Sequence, residues 1–294
     1  MAKVPAWISS GSGSAPRVAW AIALEGPLVS LHLARESGEV VATDQIGGLY
    51  RIDAEGKLAG VTHGKPMKAL AWSDTGERGA ALVGHDRLAF YSRQLTQELT
   101  IDLPHETTAV ACDSHGEYIA VGLLSCRTFL YDRRGKQIRS FETLQPMSRL
   151  QFLVTEPALV GTGELGLLAS VSFTGKARWQ EKLFGTVGDL AISGDDRSIL
   201  LASYAMGVQC HDHEGSQLGS YQVGGTVAHV ATSFSGKQIA AATIERHFYW
   251  MDSDGKVHWQ VELPEDVARL QCEPLGRGLV IGFKSGRILR LEWS

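Results

Sequence analysis

Asp132-Arg133-Arg134-Gly135, Asp212-His213-Glu214-Gly215 and Asp252-Ser253-Asp254-Gly255 are copies of one short turn. A fourth copy is Asp53-Ala54-Glu55-Gly56. Short alternating apolar runs flank each one. This is hairpin chemistry: the aspartate caps its own turn and the glycine supplies a positive φ. Gly135, Gly175, Gly215 and Gly255 follow one another at 40 residues, and Gly56 lies 79 residues before Gly135. A second glycine set, Gly76, Gly116, Gly236 and Gly276, keeps the same period through turns such as Ser73-Asp74-Thr75-Gly76. Turns at that density predict four strands per repeat, and a four-stranded sheet recurring about every 40 residues is a propeller blade.

Innermost strands are expected to begin near Leu28, Met67, Thr107, Met147, Val187, Val227 and Val267. The fold class is therefore all-β: a seven-bladed β-propeller with four antiparallel strands per blade. The seventh repeat, from Val267 to Ser294, holds only three strands. Trp20-Ala-Ile-Ala-Leu24 matches Trp179-Gln-Glu-Lys-Leu183 and Trp259-Gln-Val-Glu-Leu263, and each tryptophan is followed 11 residues on by Leu31, Leu190 or Leu270. The N-terminal strand is thus expected to close the last blade and cover its edge. Residues 1–16, with Ser9-Ser-Gly-Ser-Gly-Ser14, read as a flexible leader, and residues 17–294 as the propeller. Val4–Ile8 reads as a disordered segment, with a docking tail as the alternative. On that reading, loss of residues 1–24 strongly destabilises the fold and loss of 1–14 does not.

Gly175-Lys-Ala-Arg-Trp179 and Gly255-Lys-Val-His-Trp259 resemble the Gly-Lys-x-x-Trp end of quinoprotein-type propeller repeats. The 40-residue period and seven blades are similar to the WD40 superfamily, although no Trp-Asp dipeptide occurs. The resemblance spans residues 17–294 at the level of fold. It implies a propeller and, through the non-catalytic members of these families, an interaction scaffold.

Alternation sorts the innermost strands. One face carries Leu31, Leu70, Val110, Leu150, Leu190, Val230 and Leu270, and must pack between sheets. The opposite face carries Ser30, Ala69, Ala109, Arg149, Asp189, His229 and Arg269. Two residues on come His32, Ala71, Ala111, Gln151, Ala191, Ala231 and Gln271. The candidate binding residues are Arg149, Asp189, His229, Arg269, Gln151 and Gln271. They could hold a small anion or an acidic peptide tip through arginine forks, or simply pair with one another.

No catalytic set, metal site or cofactor motif emerges. His211-Asp212-His213 lies in a turn without a third ligand, and no nucleophile elbow or phosphate loop is present. The 294 residues are 44% hydrophobic and 20% charged, with a net charge of −4. That balance speaks against nucleic acid as a partner. The longest apolar runs are too short for a membrane helix. Cys112, Cys126, Cys210 and Cys272 form no C-x-x-C pair, which fits small packed thiols in a cytoplasmic protein. The expected function is a non-catalytic scaffold presenting its loop face to protein partners. The alternative is a small-molecule sensor or enzyme acting through the polar channel.

Overall fold

The structure, a computed structural model, describes residues 5–293. It is a seven-bladed β-propeller in which each blade is an antiparallel sheet of four consecutive strands, the last completed from the N-terminus. Blade 1 comprises Leu28–Leu33, Val40–Asp44, Gly48–Ile52 and Leu58–His63. Blade 2 comprises Met67–Trp72, Arg78–Val83, Arg87–Ser92 and Gln97–Asp102. Blade 3 runs from Thr107 to Glu142 and blade 4 from Arg149 to Lys182. Blades 5, 6 and 7 have inner strands Val187–Ile192, Val227–Thr232 and Val267–Cys272. Six of the seven inner strands start where the repeat places them. Blade 4 starts at Arg149 instead of Met147, with Ser148 already bonded through its N–H to Thr162 O at 2.8 Å.

The turns do what their composition requires. In the blade 1, 3, 5 and 6 turns, Oδ1 of Asp53, Asp132, Asp212 or Asp252 accepts hydrogen bonds from the backbone N–H groups two and four residues on. Gly56, Gly135, Gly215 and Gly255 follow with φ between +76° and +87°.

By compactness the chain divides into residues 25–185, holding blades 1 to 4, and residues 1–24 with 186–294, holding blades 5 to 7. Within 25–185, adjacent sheets bury the leucine face. Leu70 and Trp72 pack with Val41 and Leu49 of blade 1, and Phe152 packs with Ala111 and Leu130 of blade 3. Within the other unit, Leu270, Cys272 and Phe283 pack with Phe248 and Trp259 of blade 6. Burial pushes the thiols of both Cys112 and Cys272 well up, as expected of packed cysteines.

Arg17–Ala23 forms the outer strand of blade 7. It pairs antiparallel with Arg287–Glu292 in the register Val18↔Leu291, Trp20↔Arg290 and Ala23↔Arg287. Arg17 and Glu292 form an ion pair at its end.

Residues 6–13 depart from the expected flexible leader. Ala6–Ser9 is a helical turn, and Ser12–Gly13 adds a fifth strand to blade 6 in the register Ser12↔Gln260 and Gly13↔Trp259. Ile8 is 1% exposed. Trp7 lies 6.2 Å from Trp259 and 6.4 Å, edge-on, from Phe283. Trp293 stacks on Trp250 at 4.2 Å and donates its Nε1–H to Ser14 O at 2.9 Å. Aromatic contact and apolar burial hold this segment. The start of the leader, residues 1–4, lies outside the described residues, including Val4 of the Val4–Ile8 segment.

Candidate functional site

The inner strands place the expected polar residues as follows. Arg149 and Gln151 lie on the inner strand of blade 4, both half-buried, and Arg149 Nη1 donates to Ser148 O at 2.8 Å. In the other unit, His229 Nδ1 approaches Asp189 Oδ2 at 3.5 Å, with both side chains largely buried. Arg269 Nη1 donates to Ala268 O at 2.9 Å, and Gln271 is half-buried two residues on. Asp189 and His229 are thus brought together as a pair. At 3.5 Å the approach is a charge contact and not a hydrogen bond, and His229 Nδ1 is buried without a hydrogen-bond partner among the described residues.

His32, in the second inner layer, sits where burial pushes its imidazole down to about 4, outweighing the upward pull of Asp74. Asp74 is itself clamped by Arg35 through two 2.8 Å bonds. The folded state therefore keeps His32 neutral at a pH where the unfolded chain protonates it. Stability from this group is present above about 6.5 and is lost as pH falls towards 4. Urea midpoints at pH 7.5 and pH 5 are expected to differ less in His32→Asn than in the unsubstituted protein.

The loop face is the end of each blade carrying the connection to the next blade and the hairpin loop between its second and third strands. Several of its charged side chains pair with one another. Lys68 Nζ meets Glu106 at 2.8 Å and His85 meets the same carboxylate at 3.5 Å; Lys68 first, then His85, lowers the Glu106 carboxyl. Arg127 pairs with Glu142 at 2.7 Å, His63 with Glu25 at 2.9 Å and Lys284 with Asp266 at 3.4 Å. Asp44, at the loop-face end of the second strand of blade 1, is 0% exposed and accepts four hydrogen bonds.

The loop face also leaves large apolar side chains uncovered. Within residues 25–185, Leu124 is 56% exposed, Leu144 77%, Leu165 76% and Phe184 88%. All four sit on loops of blades 3 and 4, and those loops are laced together. Thr143 N donates to Cys126 O at 2.9 Å, Gln145 Nε2 to Leu165 O at 3.5 Å, and Leu183 N to Gly166 O at 2.6 Å. The lacing fixes the loops next to one another and leaves their apolar side chains outside. The signal was available in the sequence: Leu124-Ser-Cys126, Thr143-Leu-Gln145, Glu164-Leu-Gly166 and Phe184-Gly185 each set one large apolar residue in a turn whose chemistry calls for polar ones.

No group of three or more His, Cys, Asp or Glu side chains is placed to hold a metal ion among the described residues. His211 is buried in its turn, with Nδ1 3.0 Å from Gly215 O. Among the described residues, no helix is long and apolar enough to cross a membrane.

No family model and no curated protein matches the chain. Among solved structures, the β-propeller domain of Cps50 (Swd1) from Myceliophteria thermophila is similar, with a TM-score of 0.80 and 15% sequence identity over 95% of this chain and 100% of that one. The likeness is one of fold, and it agrees with the seven four-stranded blades found here.

Proposed function

We propose that the protein is a non-catalytic interaction scaffold of the cytoplasm that docks a protein partner on the loop face of blades 3 and 4. The observation that carries this reading is the set of exposed apolar side chains Leu124, Leu144, Leu165 and Phe184 on loops tied to one another by hydrogen bonds. Large apolar side chains exposed together on neighbouring loops mark an interaction site, and loops tied by hydrogen bonds lower the entropy cost of binding. Arg127 and Glu142 are paired beside these loops and serve as part of a polar rim, leaving the apolar residues to supply the binding energy. Within the inner-strand set, His229 stands against Asp189 at 3.5 Å.

The test replaces Leu144, Leu165 and Phe184 together by aspartate. The side chains are exposed, so the thermal midpoint is expected to stay within a few degrees of the unsubstituted protein. Affinity purification from cells that express the protein should recover a stoichiometric partner with the unsubstituted chain and lose it with the triple variant. Sedimentation of the purified protein separates this from self-association. A monomer whose partner is retained by the triple variant contradicts the proposal.

A further inference from the structure

Blades 1 and 2 enclose a cavity of about 590 Å³ on the flank of the molecule. It lies between the outer strand of blade 1, Leu58–His63, and the outer half of blade 2. Its size is that of a ligand or peptide site. Val61, Met67, Ala89 and Leu95 supply apolar lining, with the ring of Tyr91. The ionisable side chains among its lining are His63, Lys65, Arg87 and Tyr91, and none of these is an acid. The three basic groups gather where the strands reach the loop face. Arg87 is held by Asp102 at 3.2 Å and His63 by Glu25 at 2.9 Å, both exposed carboxylates, whereas Lys65 has no ion-pair partner among the described residues.

A second observation converges on the same place. Blades 1, 3, 4, 5 and 6 put glycine at the left-handed position of their outer hairpin, at Gly56, Gly135, Gly175, Gly215 and Gly255. Blade 2 puts Leu95 there, with φ 61°. A left-handed leucine carries backbone strain that a glycine would avoid. What the leucine provides is a buried side chain that both joins the blade 1–2 core and lines the cavity. The repeat is broken at the one blade where its turn residue reaches this cavity.

We propose that this cavity is a second docking site, separate from the apolar loop ridge of blades 3 and 4. Its occupant is an extended segment of a partner protein, carrying an acidic residue next to alternating apolar ones. The acidic side chain meets Lys65 and Arg87, and an apolar side chain rests on Val61 and Leu95. An extended segment fits because Leu58–His63 is the edge strand of its sheet, with one side unpaired. The chain uses the same device on itself in blade 6, where Ser12–Gly13 adds to the outer strand and a large side chain anchors it.

The test uses the full chain and an array of end-blocked ten-residue peptides. One set joins one or two Asp or Glu residues to alternating apolar residues, and a matched set carries Lys in their place. Fluorescence anisotropy is expected to find acidic peptides bound at least about tenfold more tightly than their lysine counterparts. Lys65→Glu with Arg87→Glu should remove that preference, and both side chains are exposed, so folding is retained. Leu95→Gly restores the repeat's own turn residue and should weaken binding without unfolding the protein. The Leu144, Leu165 and Phe184 aspartate variant should bind the peptides unchanged, which keeps this site distinct from the loop ridge. Equal binding of the two peptide sets overturns the proposal, as does binding that survives Lys65→Glu with Arg87→Glu. Citrate or phosphate bound where no acidic peptide binds would make the cavity a small-anion site and overturn it too.

Discussion

Removal of residues 1–24 leaves a chain that does not fold cooperatively, and removal of residues 1–14 leaves a folded protein that melts several degrees lower. The first loss is that of a whole strand. Arg287–Glu292 would face water along an unpaired edge, with Ile288, Leu289 and Leu291, all buried in the intact protein, losing the cover that Trp20 and its neighbours give. A synthetic peptide of residues 15–26 added in trans is expected to restore the transition, because the register of the missing strand is set by the alternation of Trp20 and Ile22 against their partners. The second loss is smaller and of a different kind. Deleting residues 1–14 removes Ile8 from a site where it is fully buried and uncovers Trp259 and Phe283. Burying a large apolar side chain contributes about 1.5–3 kcal/mol, and ordering the residues that carry it offsets part of that gain. Calorimetry on the two truncations, with Ile8→Asp as a point substitution at the same contact, measures both effects. A chain lacking residues 1–14 that melts with the intact protein would show that the docked segment contributes nothing to stability.

That second expectation reverses what composition implies, and the reason is instructive. Ser9-Ser-Gly-Ser-Gly-Ser14 has the make-up of a flexible linker, yet its glycines are there for close approach. A Cβ on Gly11 would stand 2.4 Å from Trp259 Nε1, and one on Gly13, at φ +97°, would stand 2.1 Å from His258 O. Composition cannot separate a glycine needed for freedom from a glycine needed for contact. The same ambiguity runs the other way in the repeat. The step of 79 residues between Gly56 and Gly135 hides a sixth turn of the series, whose left-handed position is Leu95. Likewise Asp196, at φ 58°, fills a gap in the second glycine set. The hairpin between second and third strands is marked by Gly47, Gly166 and Gly286 together with left-handed Cys126 and Arg246, so a search for glycine alone sees it only in part.

Blade count, strand order and closure were legible because they rest on turn chemistry and alternation, which repeat seven times. The proposed docking surface lies in the loops, where the repeat is least regular. Charged loop residues attract attention, but Glu106, Arg127 and Asp266 all spend their charge on neighbours. The apolar loop residues that stay exposed belong to no motif. Their exposure follows from the lacing of the loops, a tertiary fact that periodicity does not encode.

Asp44→Ala is expected to destabilise the protein by about 3–5 kcal/mol, more than any single exposed-loop substitution, because it orphans several buried donors at once. Asp44 ends the second strand of blade 1. Its Oδ1 accepts from the N–H groups of Ile46 at 3.1 Å and Gly48 at 2.7 Å. Its Oδ2 accepts from Gly26 N at 3.0 Å and the Tyr50 hydroxyl at 2.7 Å. Asparagine retains one accepting oxygen but turns an NH2 group towards the other two donors, so Asp44→Asn should fall between alanine and the unsubstituted protein. Gly48 is bound into the same arrangement: a Cβ there would lie 2.4 Å from the Tyr50 hydroxyl oxygen, so Gly48→Ala must displace the ring that Asp44 holds. Tyr50 also supplies a pH readout. Burial, and then its bond to Asp44, pushes its hydroxyl up to about 12 from 10.0. A group with a raised folded value stabilises the fold below its unfolded value and loses that contribution as pH climbs through the folded one. The unsubstituted protein should therefore lose stability between pH 10 and about 12, and the loss should shrink in Tyr50→Phe, which has no hydroxyl to ionise. Urea unfolding of the Asp44 and Gly48 variants at pH 7.5 checks the first claim, and unfolding at pH 9 and 11 checks the second. An Asp44→Ala protein as stable as the unsubstituted one would mean that water reaches those four donors and that this loop of blade 1 is held by something other than its buried carboxylate.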